Sequence, residues 1–149
     1  MAKEKLSEHF SLEEMTRTRI KTPDGNMPGV GEVENLKRVC KWLEMLRDEW
    51  NRRYGEGNDP IVVNSGFRSK AVNKAVGGVS TSNHLTGCAA DIRVAGIEQL
   101  LRYAVILMDI SDEAQEDFDE LLLERQDSKM WLHFAVRPNG NRRRISILK

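Results

Sequence analysis

The chain is poor in the residues that most often carry metal or disulfide chemistry, since its 149 residues include only two cysteines and three histidines. Cys40 and Cys88 are too few for a disulfide framework or for a zinc site built from cysteines alone. Any metal or acid–base chemistry must therefore depend on His9, His84, His133 and the carboxylates near them.

Net charge and long apolar runs are also absent. The 23 Lys and Arg residues balance 23 Asp and Glu residues, which argues against a protein whose main task is binding nucleic acid or an anionic membrane. No apolar run approaches the roughly 20 residues needed to span a bilayer, so no membrane span is expected. The first residues, MAKEKL, contain no apolar signal core, so we expect synthesis in the cytoplasm without a conventional signal peptide.

The length and the apolar content of 40% predict a single domain over residues 1–149, large enough for one core, and we expect a monomer. Helices are predicted where capping signals or three- and four-residue apolar spacings occur, at residues 11–17, 32–50, 70–76 and 97–108. Strands are predicted at β-branched or alternating segments, at residues 61–64, 90–94, 118–124, 130–136 and 144–147.

This order of elements predicts a small α+β domain, an antiparallel sheet with helices packed on one side. An acidic loop is predicted at residues 109–117, and Asn139-Gly140 predicts a hairpin turn that makes residues 144–147 the returning strand. The arginine run at residues 141–144 (NRRR) favours an exposed strand end that discourages edge-to-edge pairing. Contact with an anionic polymer is the alternative.

Three residues form a candidate metal site. Asp91 stands between apolar neighbours at the start of a strand, where a carboxylate is costly to bury unless it is paired or bound to metal. With His84 and His133 it provides two imidazoles and one carboxylate, a typical set of protein ligands in an open, catalytic zinc site. Spacing alone also allows unrelated polar residues.

Four segments occur in a suggestive order: residues 65–69 (SGFRS), 73–78 (NKAVGG), 82–91 (SNHLTGCAAD) and 131–133 (WLH). Together they resemble the zinc D-alanyl-D-alanine carboxypeptidase family, which includes phage-type endolysins and other peptidases that cut peptidoglycan stem peptides. Residues 6–14 (LSEHFSLEE) are similar to the start of the phage and prophage members.

The resemblance implies that His84, Asp91 and His133 bind Zn²⁺ in a cleft on the sheet, and that Arg68 holds a carboxylate of the peptide substrate. Arg offers a fixed fork of donors for this purpose. Ser82 and Trp131 are candidate substrate-binding residues, although Ser82 alternatively holds its loop and Trp131 alternatively packs in the core.

The implied function is a zinc-dependent metallopeptidase, a D-Ala-D-Ala carboxypeptidase or an endolysin-type endopeptidase, that hydrolyses peptidoglycan stem peptides. It would act on the cell wall after lysis, through a pore or from a virion. The alternative is a non-catalytic zinc-containing module that binds a cell-wall peptide or a protein partner.

The resemblance does not identify the general base directly. Many family members carry an acidic residue three positions before the last histidine ligand, where this chain has Met130. Residues 118–124 (FDELLLE) resemble the preceding strand of phage-type members and of the related Hedgehog zinc site, in which the terminal Glu faces the metal. Glu124 is therefore preferred as the base and Asp127 is the alternative. If Glu124 lies opposite Trp131 in a hairpin, it shares the face of His133.

Overall fold

The computed structural model describes residues 4–148, and each predicted helix and strand has a counterpart in it. The helices are α1 (Leu12–Met15), α2 (Val30–Arg53), α3 (Lys70–Ala75) and α4 (Ile97–Ala114), with a 3₁₀ turn at Asn83–Thr86. The strands are β1 (Val63–Ser65), β2 (Ala89–Arg93), β3 (Glu120–Gln126), β4 (Lys129–Ala135) and β5 (Arg144–Leu148). No helix in this described part of the chain is both long and apolar enough to cross a membrane.

The core lies between the sheet and the two long helices. The apolar stripe of α2, including Leu36, Leu43 and Leu46, is fully buried, because its three- and four-residue spacing places these side chains on one face of the helix. Phe134 of β4 belongs to the same core, and its ring lies 5.4 Å from that of Trp42. Because side chains alternate along a strand, the neighbours of these core residues point to the opposite face of the sheet.

The prediction of an acidic loop at residues 109–117 was wrong, because α4 continues to Ala114. Ile110 extends the buried stripe of the helix, which offsets the poor helix propensity of its polar neighbours. Asp109 and Asp112 lie on the outside and pair with Arg53 and Arg143. The acidic residues thus form the solvated face of a helix.

Within residues 4–148, the sheet has five strands in the order β1-β2-β4-β3-β5. It is antiparallel except for β5, which runs parallel to β3. The predicted hairpin between β4 and β5 was therefore wrong, although residues 144–148 do form a strand. Both edges of β4 are already occupied, one by β2 and the other by β3, and β5 pairs with the remaining edge of β3.

Candidate metal centre

The face of the sheet opposite the long helices carries the candidate site. Asp91 of β2 is paired with His133 of β4, which is paired in turn with Leu122 of β3. This register places Asp91 and His133 side by side on one face. His84 comes from the 3₁₀ turn that precedes β2, so a local turn and two paired strands together bring the three predicted ligands to one point.

The three side chains form a compact and buried cluster. The Nε2 atom of His84 lies 3.3 Å from Oδ1 of Asp91, and Nδ1 of His133 lies 3.0 Å from the same oxygen. One ligand atom from each of the three residues falls within 4.8 Å of the others. The structure therefore confirms that His84, Asp91 and His133 lie together, as the sequence predicted.

The second nitrogen of each imidazole is also bonded. His84 donates from Nδ1 to the backbone carbonyl of Gly66 at 2.6 Å, which leaves Nε2 for a metal. His133 bonds from Nε2 to Oε1 of Glu120 at 3.0 Å, which leaves Nδ1. Histidines that ligate metals are commonly oriented in this way by a carbonyl or a carboxylate. The donor set of two imidazoles and one carboxylate therefore fits zinc.

Electrostatics in the cluster favour a bound cation. Burial opposes the charge on Asp91, but the adjacent His84 and His133 outweigh it and hold the pKa of Asp91 well below its usual value. Burial also lowers the pKa of His133, but its bonds to Asp91 and Glu120 outweigh that effect and raise the pKa to about 9. The proton that His133 carries on Nδ1 lies toward Asp91, in a place that a metal cation can take.

The SGFRS segment (residues 65–69) has a local structural explanation. A Cβ atom on Gly66 would lie only 2.4 Å from the carbonyl oxygen of Met15, so the close approach of α1 requires glycine here. Phe67 then enters the core, and its backbone N–H donates to Met15. The next residue, Arg68, points back into the cleft beside Asp91.

Arg68 is held by three partners in the structure. Its guanidinium lies 3.2 Å from Oδ2 of Asp91, and it also donates to Ser65 and Asn73. This places Arg68 on the β1 side of the three candidate ligands His84, Asp91 and His133, which we call the metal cluster. Its role toward a substrate carboxylate stays a prediction.

Glu124 lies opposite Trp131, and Leu122 lies opposite His133, which is the register that the choice of Glu124 as the base required. Glu124 therefore shares the His133 face, and it lines the same cleft as the metal cluster. The indole N–H of Trp131 donates to Oε2 of Glu124 at 2.6 Å. Burial and the nearby charge of Asp91 raise the pKa of Glu124.

Asp127, the alternative base, lies in the exposed turn between β3 and β4. Its backbone φ of 55° is that of a left-handed turn residue, a conformation that Asp tolerates well. It lines a neighbouring hollow rather than the cleft that holds the metal cluster. The geometry therefore favours Glu124.

The remaining predicted residues occupy distinct places. Ser82 lines the cleft, and its hydroxyl caps the 3₁₀ turn by accepting from the backbone N–H of His84, so it holds the loop; substrate binding by Ser82 stays a prediction. Trp131 is half-buried at the cleft rather than in the core. His9 lies away from the cluster and bonds to Glu44 at 2.6 Å.

Sequence reasoning missed Glu120 and its surroundings. Asn83 donates to Glu120 and also to Asp119, whose side chain is completely buried. The signal was present, because residues 119 and 120 are adjacent carboxylates at the start of an apolar strand. The argument that singled out Asp91 applies equally to them.

The metal cluster lies in a cleft of about 480 Å³. A family model described as Peptidase M15 matches residues 8–112, a span that contains Arg68, His84 and Asp91 and ends before β3.

A zinc D-Ala-D-Ala carboxypeptidase from Streptomyces albus G is 52% identical over 40 residues, which are 27% of this chain and 16% of that protein. The alignment thus spans less than two thirds of that relative. Because the family model covers more than half of the chain, the resemblance to the zinc D-alanyl-D-alanine carboxypeptidase family is confirmed, and the chain belongs to the Peptidase M15 family.

Proposed function

We propose that the protein is a zinc metallopeptidase that hydrolyses peptide bonds in peptidoglycan stem peptides. The observation that carries the proposal is the buried cluster of His84, Asp91 and His133 in a cleft that also presents Glu124 and Arg68. Membership of the Peptidase M15 family and the similarity to a zinc D-Ala-D-Ala carboxypeptidase support both the metal and the substrate class.

The side chains of the site do not provide a Lewis acid, and a bound metal would. His84, Asp91 and His133 would hold the zinc ion, which would supply Lewis-acid polarisation of a carbonyl group and a lowered pKa for water at the site. The protein fixes the two histidine ligands through Gly66 and Glu120, which orient the imidazole rings.

Glu124 acts as the general base in this proposal. Trp131 donates to Oε2 of Glu124, so Oε1 is left without that bond and accepts a proton from the attacking water. The raised pKa of Glu124 suits a group that first takes this proton and then delivers it to the leaving amine. A strand residue also holds a base more rigidly than a turn residue such as Asp127.

Arg68 binds the substrate in this proposal. Its guanidinium is already positioned by Ser65, Asn73 and Asp91, so few rotamers must be lost when a carboxylate arrives. A peptide carboxylate at Arg68 would place the neighbouring peptide bond beside the metal cluster. Ser82 and Trp131 line the same cleft and would contact the peptide.

The finer assignment is either a D-Ala-D-Ala carboxypeptidase or an endolysin-type endopeptidase, and the similarity of residues 6–14 to phage members supports the second. In that case the protein would act on the wall after lysis, through a pore or from a virion. The competing function is a zinc-containing binding module without turnover. Met130, which stands where many relatives carry an acidic residue, is the observation that favours it.

Products of digestion distinguish these possibilities. Zinc-loaded protein is incubated with purified peptidoglycan and with defined stem peptides, and the products are identified by mass spectrometry. Release of a single terminal D-Ala indicates a carboxypeptidase, whereas release of longer fragments indicates an endopeptidase. Absence of any product from zinc-loaded protein would contradict the peptidase and favour the binding module.

A further inference from the structure

One end of the cleft is rich in arginine. Arg137, Arg142 and Arg144 line it together with the metal cluster, and they lie near the start of β3. The arginine run at residues 141–144 was predicted to be an exposed strand end. Arg142 and Arg144 are indeed about half exposed. The sequence alone did not indicate that they line the cleft that holds the candidate metal ligands.

Two buried carboxylates hold these arginines in place. Arg142 makes a bidentate pair with Asp119, with donor–acceptor distances of 3.0 and 2.8 Å, and Nε of Arg137 lies 3.2 Å from the same carboxylate. Arg144 lies 3.5 Å from Oε2 of Glu120. The cluster is therefore anchored by groups that are themselves almost completely buried.

The anchors do not use all the donors of the cluster. Three guanidinium groups face two carboxylates, and Glu120 also accepts from His133 and Asn83. Each guanidinium carries five N–H donors. Within residues 4–148, the side chain of Arg144 makes only the contact with Glu120, so most of its donors face solvent in the cleft. One positive charge and several fixed donors remain for a ligand.

The arginine cluster and Arg68 lie on opposite sides of the metal cluster. Arg68 follows β1, at one edge of the sheet, whereas Arg144 begins β5, at the other edge. Three strand spacings separate β5 from β2, where Asp91 lies beside Arg68, so the two cationic positions are roughly 14 Å apart. An extended peptide covers this distance with about four residues.

We propose that Arg137, Arg142 and Arg144 form an anionic subsite that binds a second carboxylate of the peptide substrate, on the side of the metal cluster opposite Arg68. The proposal rests on the peptidase function and specifies its substrate class, an extended peptide with two carboxylates about four residues apart. The planar, multi-donor guanidinium suits a carboxylate better than it suits a neutral amide.

The test compares two peptides that differ by one charge. The peptides are N-acetylated and end in D-Ala. One pair carries Glu or Gln at the fourth residue before the D-Ala, and two further Glu/Gln pairs carry the substitution at the third or the fifth residue before it. Equilibrium binding to zinc-loaded Glu124→Gln protein is measured by Trp fluorescence, so that the result does not depend on turnover. We expect the Glu peptide to bind about 10-fold more tightly than the Gln peptide at the best spacing.

Arg144→Gln should reduce this preference to threefold or less, because it removes the least anchored guanidinium without exposing a buried charge. Arg143→Gln is the matched control, since Arg143 pairs with Ser111 and Asp112 rather than lining the cleft. The Arg143→Gln protein should keep the full preference for the Glu peptide over the Gln peptide.

Equal binding of the Glu and Gln peptides at every spacing would overturn the subsite. So would an unchanged preference in Arg144→Gln, or an equal loss in Arg143→Gln, which would indicate a general charge effect. Failure of the wild-type protein to hydrolyse peptides would contradict the proposed peptidase function and would leave this binding measurement intact.

Discussion

The Nε2 atom of His133 lies 3.0 Å from Oε1 of Glu120, across the pairing of β4 with β3. Because a carboxylate can only accept, the imidazole donates to Glu120 and turns Nδ1 toward Asp91. The residue that orients this metal ligand is thus supplied by a strand that contributes no ligand itself.

Removal of Glu120 should weaken metal binding. We expect Glu120→Ala to lower zinc affinity about 10- to 100-fold, as for other partners that orient ligating histidines. Glu120→Gln keeps an acceptor oxygen and should lose less. A competitive titration against a chromophoric chelator measures the effect, and equal affinity of Glu120→Ala and wild type would contradict it.

Metal content tests the ligand set directly. We expect one zinc per chain in the purified wild-type protein by elemental analysis, and a loss of most of it in His84→Ala and Asp91→Ala. His9→Ala is the control and should retain the metal, because His9 bonds to Glu44 away from the cluster. Retention of zinc by His84→Ala would refute the assignment.

Glu124→Gln separates catalysis from metal binding. Loss of the general base should lower kcat about 10²- to 10⁴-fold with unchanged zinc content, because the amide cannot accept the proton. Asp127→Asn should leave kcat near the wild-type value, since Asp127 lies in the turn outside the cleft. The reverse pattern would make Asp127 the base.

Acid should destabilise the protein partly through Asp119. Burial raises the pKa of Asp119, but hydrogen bonds from Arg142 and Asn83 outweigh it and hold the pKa at about 2, below the usual 3.8. Since the folded pKa is the lower one, this contribution to the free energy of unfolding is complete above about pH 4 and is lost as the pH falls toward 2.

Asp119→Asn should therefore cost about 3 kcal/mol at neutral pH, because the arginines lose a buried charged partner. The variant should also depend less on pH between 4 and 2. Urea unfolding at several pH values measures both effects, and parallel pH profiles for the two proteins would show that Asp119 does not contribute.

Gly66→Ala should destabilise the fold and disturb the site together. The added Cβ would lie 2.4 Å from the carbonyl oxygen of Met15, and relief of such overlap typically costs about 1–3 kcal/mol. The Gly66 carbonyl that orients His84 would move with it. In Gly31→Ala the added Cβ meets nothing within 4 Å, so this control should be no less stable than wild type in urea.

Spacing alone left the metal ligands open, and the resemblance to a known family singled them out. The structure explains the convergence: His84 and Asp91 lie on a turn and the strand that follows it, and His133 alternates with core residues in β4. The sequence placed Glu124 on the face of His133 only for one hairpin register, and the pairing of β3 with β4 has that register. Sequence reasoning missed Glu120 because its hydrogen bond with His133 forms only when β3 pairs with β4.

Local patterns in the sequence determined the helices and the strands, since periodicity, capping and turn residues depend on near neighbours, and the resemblance to a known family indicated the candidate ligands. Only the tertiary structure decided that β5 pairs with β3. The edges of β4 are occupied by β2 and by β3, so the predicted hairpin between β4 and β5 cannot form. That choice places Arg144 beside Glu120 and gives the cleft its second cationic end. Competition among distant strands for free hydrogen-bonding edges is a property of the whole sheet, and no single segment of the chain encodes it.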